Sequence, residues 1–229
     1  MNERECAMNT FSDDTFNFFA AIRFNNNRQF FHENHDWYAQ NVREPALHLA
    51  SELAPVVADI DPHLIVLPNR VVCHINRDIR FSKDKSPYRD YLWLGFHRPG
   101  EEKNNTLGIY FDISDTYSSF GWGLYIQNKP YWNGVKRALE KDEDTFLQLL
   151  NRAETSFTAE IAAYKKNTAP EGMDERTKKW YMAKNFTMYQ KIEDYNLLKS
   201  EQLGEYIAQH LQNAKGLYQW LNAVVPMEE

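Results

Sequence analysis

The chain has 229 residues, 43% of them hydrophobic and 14% aromatic, which is enough to fill a sizeable core in one domain. A net charge of −6 and a pI near 5.7 argue against extended wrapping of nucleic acid, which needs a broad basic face, but leave room for a single phosphate or carboxylate. No apolar run of about 18 residues offers a membrane span, and the first ten residues carry charge where a secretion signal needs an apolar stretch, so a soluble cytoplasmic protein is expected.

Ser12, followed by Asp13 and Asp14, reads as a helix cap with acids in the first turn, and Phe16, Phe19, Ala20 and Phe24 recur behind it at helical spacing. This helix should end at Asn25-Asn26-Asn27. A second helical stretch is expected from about Arg28 to Ile60, with Phe31, Tyr38, Val42, Leu49 and Leu53 on one side and Pro45 and Pro55 kinking it. His32 and His35 have the i, i+3 spacing of metal ligands, but no third ligand stands near, and solvated helix histidines are the plainer reading. Cys6 and Cys73 form neither a metal spacing nor a disulfide pair, so both are read as free thiols and no metal site is expected.

From Leu64 to Ile126 the period changes to two. Val71, Cys73 and Ile75 form one row, followed by Leu92, Leu94 and Phe96, then Leu107 to Ile113, then Phe120 to Ile126. Short connections favour antiparallel hairpins, and at least four strands are expected. Their other face carries His74, Tyr91, Trp93, Tyr110, Asp112, Gly121, Gly123 and Tyr125, which is aromatic and polar, and a face of that kind is either covered or holds a ligand. Gly121 and Gly123 point to one side and permit close approach.

Helical periodicity returns around Trp132 to Glu140, Asp144 to Arg152 and Thr155 to Tyr164. A polar connection then runs from Asn167 to Lys179. In Lys178 to Phe186 cations alternate with aromatics, read as an amphipathic structural segment, with stacking of bases or binding of an acidic partner as the other option. The last helix is capped by Ser200 and buries Leu203, Ile207, Leu211, Ala214, Tyr218 and Leu221. The expected architecture is therefore α+β: a single domain over 1–229, helical over 12–60, strand-rich over 64–126 and helical over 130–222, its antiparallel sheet packed against helices from both ends.

The densest chemistry lies between positions 77 and 89, where Arg77, Arg80, Lys83, Lys85 and Arg89 outnumber Asp78 and Asp84. With Ser82, Ser86 and Tyr88 they have the groups to bind a phosphate or carboxylate. Asp78, Asp84 and Asp90 could equally neutralise them in a salt-bridged brace at the sheet edge. Arg28, beside the asparagines, could add a guanidinium at a helix start. Asp78, Tyr88 and His74 are the proton-transfer candidates. His97 also projects from a strand near that face, with a satisfied histidine as the plainer reading.

The stretch RDIRFSKDKSPYRDYL resembles the RD-x-RFSKDK-[TS]-PY-[KR] hallmark of the conserved-hypothetical family called domain of unknown function 2461. The resemblance continues through Asn25 to Phe31, Asn34, Tyr38 and Glu44-Pro45. It implies a fold and a set of residues but no reaction and no cofactor. Walker, dinucleotide-binding, zinc-protease and nucleophile-elbow motifs are absent from the sequence. Two functions stand: binding of an anionic small molecule in a basic cleft, with or without catalysis, and non-catalytic docking of an acidic protein through the basic loop.

Overall fold

Helix α1 (Asp13–Phe24) begins where the sequence places it, because Ser12 is extended (φ −139°, ψ 176°) and its amide donates to Thr15 Oγ1 at 3.0 Å. The computed structural model describes residues 10–80, 83–100, 106–164 and 168–224. Phe16 and Phe19 are buried as their spacing predicts, but Phe24 is 84% exposed. Phe18 is buried in its stead, against Trp37 and Tyr38, so α1 is covered on more than one side.

The stretch from Arg28 to Ile60 is helical and segments at Asn34 and again just before Pro45, while Pro55 is carried inside the last segment. It comprises α2 (Arg28–Glu33), α3 (His35–Tyr38), a π-helical turn (Ala39–Arg43) and α4 (Glu44–Ile60). Asn34 leaves helical geometry (φ −114°, ψ 21°), and its side-chain amide donates to the Phe30 carbonyl at 2.8 Å. Pro45 lies in the first turn of α4 and has no N–H for the Asn41 carbonyl four residues back. The fully buried Thr15 hydroxyl donates to that carbonyl instead, which ties the helix start to α1.

After the short helix α5 (Pro68–Val71), five strands form one antiparallel sheet: β1 (Tyr91–Phe96), β2 (Gly108–Ser114), β3 (Ser118–Leu124), β4 (Thr158–Ala163) and β5 (Ala183–Lys191), in the order β1-β2-β3-β5-β4. Two expectations are corrected here. Val71 to Ile75 is no strand but a helical turn running into a single bridge, Val72 to Leu94. Within 130–222, expected to be helical, residues 158–163 and 183–191 instead form β4 and β5, because the pairing of β5 with β3 and of Ala159 and Ile161 with β5 outweighs local helix propensity.

Leu92, Leu94, Leu107, Ile109, Phe111, Phe120, Trp122 and Leu124 are all buried on one side of the molecule. The helices α6 (Lys129–Lys141), α7 (Glu143–Glu154), α8 (Glu175–Tyr181) and α10 (Leu203–Ala223) pack around that core, α10 following a short turn, α9 (Tyr195–Leu198). The predicted stripe on α10 is buried throughout, with Tyr218 meeting Trp122 at 5.5 Å. Its helical bonds begin at Leu203, and Ser200 lies in the preceding turn. Trp180 is a core residue, 1% exposed between Phe146 and Phe186. Asp61, also 1% exposed, receives Arg98 at 3.0 Å, the Tyr218 hydroxyl at 3.2 Å and Asn222 at 3.3 Å, joining the end of α4 to the segment after β1 and to α10. Among the described residues no helix is long and apolar enough to cross a membrane.

Candidate functional site

The basic segment is the tip of a two-stranded ribbon. Asn76 bridges to Tyr88, Arg77 N donates to the Pro87 carbonyl and Arg89 N to that of Ile75, both at 2.8 Å. Asn26 fixes the ribbon from outside: its side chain donates to the Tyr88 carbonyl at 2.9 Å and accepts from the Tyr88 amide at 3.0 Å, as a strand neighbour would. The Tyr88 ring is buried and stacks on Phe31 at 4.2 Å. That contact gives the two halves of the family resemblance, one in the asparagine segment and one in the basic segment, a common structural purpose.

Within the tip the cations have internal partners. Arg77 pairs with Asp84, Arg80 with Asp78 at 2.7 Å, and Lys85 donates to the Ile79 carbonyl at 2.9 Å. Arg89 donates to the carbonyls of His74 and Asn76. Arg80 holds the Asp78 carboxyl at a pKa of about 2, so this group stays ionised and paired instead of accepting protons near neutrality. Lys83 is exposed, Ser82 lies outside the described residues, and Arg28 is exposed on α2, where Asn27 caps the helix by accepting from Phe30 N at 2.9 Å. His74 is exposed, and Tyr88 is enclosed by its stacking. The three proton-transfer candidates and the arginines therefore do not converge on one cleft. A further brace, without a spacing signal in the sequence, is Arg23, which donates to Asp90 at 2.7 Å and pairs with Asp115 across the β2–β3 turn.

Chemistry gathers instead on the face of the sheet turned away from the helices. Strand register places Trp93 opposite Asp112, which is opposite Ser119, and places Tyr110 between Gly95 and Gly121. Gly108 lies opposite Gly123, which is opposite Thr187. Gly95 and Gly108 lower the floor, and Trp93, Tyr110, Tyr125 and His97 stand around it, making a trough of about 400 Å³. The benzo ring of Trp93 lies over Gly95, where an added Cβ would meet it at 3.0 Å. Tyr125 meets Tyr110 edge to face at 6.0 Å. At Gly121 and Gly123 the requirement comes from the partner strand, because a Cβ would fall 2.0 Å from the Met188 carbonyl oxygen and 2.4 Å from that of Phe186.

Asp112 is the trough's charged group. Its Oδ1 accepts from Ser119 N at 2.9 Å and Ser119 Oγ at 3.0 Å, and no cation among the described residues pairs with it. Burial pushes its carboxyl up to about 6, with the Ser119 bonds opposing that rise. Burial raises the Tyr110 phenol to about 12 despite its bond to Ser119, so it remains a neutral hydrogen-bonding group. Asp112, Ser119 and Tyr110 thus form one connected polar line across the floor.

Residues 14–220 match the family described as "Conserved hypothetical protein (DUF2461)". The chain belongs to this family. No curated protein matches the sequence. In this DUF2461 protein the basic ribbon and the aromatic trough are separate features, both resting on β1. Period-two spacing places Trp93, Tyr110, Asp112, Gly121 and Gly123 on one face, and Gly95, Gly108 and Ser119 continue the same alternation; Thr187 lies on β5, which the sequence reading does not mark as a strand, so only the register brings it here.

Proposed function

We propose that this protein binds a small organic molecule in the trough on the open face of its sheet. The observation that carries the reading is the combination of a glycine floor, aromatic walls and a single half-buried carboxyl without a counter-charge. Binding requires only that the ligand stack on Trp93 or Tyr110 and engage Asp112. The anionic ligand expected from the basic segment finds less support, since Arg77, Arg80 and Arg89 are each directed to partners of their own. A second reading, docking of an acidic protein, draws support from the outward exposure of the loop, with the Arg80 side chain 77% exposed and Lys83 and Lys85 also exposed. A reducing, cytoplasmic setting is part of the proposal and fits a sequence with two cysteines at no disulfide-pairing spacing.

A thermal-shift screen of small organic molecules tests the trough. Compounds that raise the melting temperature of the wild-type protein should lose that effect in Trp93→Ala, which removes a wall without touching the buried face. Stabilisation that persists undiminished in Trp93→Ala but vanishes in Lys83→Ala would move the site to the loop.

A further inference from the structure

We infer that the ligand of this trough is an organic cation, such as a protonated or quaternary amine, held by Asp112 within the aromatic walls. The inference rests on the proposed binding role of the trough and names the charge of what it takes. Three observations support it. Asp112 lies on the second of the five strands with Ser119 as its hydrogen-bond partner and no pairing cation among the described residues, so a desolvated carboxylate lacks its counter-charge. The walls include Trp93, Tyr110 and Tyr125, aromatic side chains whose π faces attract cations. Glu160 and Asp112 both act electrostatically on Tyr110, so the neighbourhood is negative and repels an anion.

A metal ion fits less well. Among the described residues no group of three or more His, Cys, Asp or Glu is arranged to hold one, whereas a single carboxylate with aromatic neighbours suits a diffuse organic charge. Among the described residues the titratable groups on the face of Asp112 are Tyr91 and His97 from the β1 side, Tyr110 on β2, Tyr117 and Tyr125 flanking β3, Tyr189 and Lys191 on β5 and Glu160 on β4. Lys191 is opposite Ser119, two strands from Asp112, and forms no ion pair with it.

The test uses three probes that share one ring and differ in charge: benzyltrimethylammonium, benzyl alcohol and benzoate. Each is titrated into isotope-labelled protein at pH 7.5 and pH 5 while the amide signals of Gly95, Gly108 and Tyr110 are followed. The ammonium probe should bind about tenfold more tightly than benzyl alcohol at pH 7.5, benzoate more weakly than either, and the ammonium's advantage should shrink at pH 5 as Asp112 takes up a proton. Asp112→Asn keeps an acceptor for Ser119 and should abolish that advantage at both pH values; His97→Gln separates any contribution of the imidazole to the pH effect. If benzyl alcohol or benzoate moves the trough signals and the ammonium does not, or if Asp112→Asn leaves the ammonium's advantage intact, the cation inference falls while the trough remains a binding site. If none of the three moves those signals, both readings fall.

Discussion

Asp112 is an acidic side chain whose surroundings oppose its charge. Its folded pKa, about 6, lies above the 3.8 of an unperturbed carboxyl, so between those values the folded state binds more protons than the unfolded one. Stability from this group is therefore fully present below pH 3.8 and declines as pH rises towards about 6. Partial exposure to solvent limits the loss to on the order of 2 kcal/mol. Asp112→Asn should consequently match the wild type near pH 4 and exceed it in stability at pH 7.5. Urea denaturation of both proteins at the two pH values measures the difference, and an asparagine variant that is weaker at pH 7.5 by more than at pH 4 contradicts the assigned environment.

At the scale of elements, two devices hold the trough in place. The first is the contact of β3 with β5 at the glycines. Gly121→Ala drives a Cβ against the backbone of Met188, which cannot rotate away, and should cost at least about 2 kcal/mol. Gly95→Ala meets only the ring of Trp93, so the cost should be smaller by about half or more. Equal melting temperatures for the two variants would refute this account of the floor. The second device is the ribbon clamped by Asn26. Asn26→Ala strands both backbone groups of Tyr88 and should lose about 1–3 kcal/mol, whereas Arg80→Ala removes an exposed pair and should lose under about 1 kcal/mol. Calorimetric melting of both variants decides it; a larger loss for Arg80→Ala speaks against the clamp.

Element boundaries were legible where one physical signal dominated. The alternation of Leu107, Ile109 and Phe111, like that of Phe120, Trp122 and Leu124, marks strands buried on one face, and the stripe on α10 marks a helix laid across them. β4 was not legible because Thr158 to Ala163 has short, helix-compatible side chains and an exposed edge, so only its pairing with β5 makes it a strand. Likewise the cationic run at 77–89 advertised a site by composition, although the partners that occupy it include carbonyls and Asn26, which leave no spacing signal.

For the whole molecule, the helices gather on one side of the sheet, and the opposite face is left with aromatic walls and the Asp112 carboxyl without a pairing cation. That asymmetry accounts for both the stability of the core and the availability of the trough, and it is why the proposal places binding on the open face. Chemical-shift mapping with the best compound from the stabilisation screen tests this most directly. The largest amide changes should fall at Trp93, Gly95, His97, Gly108, Tyr110 and Asp112, with residues 77–89 unmoved. Changes concentrated in residues 77–89, with the trough glycines silent, would contradict it.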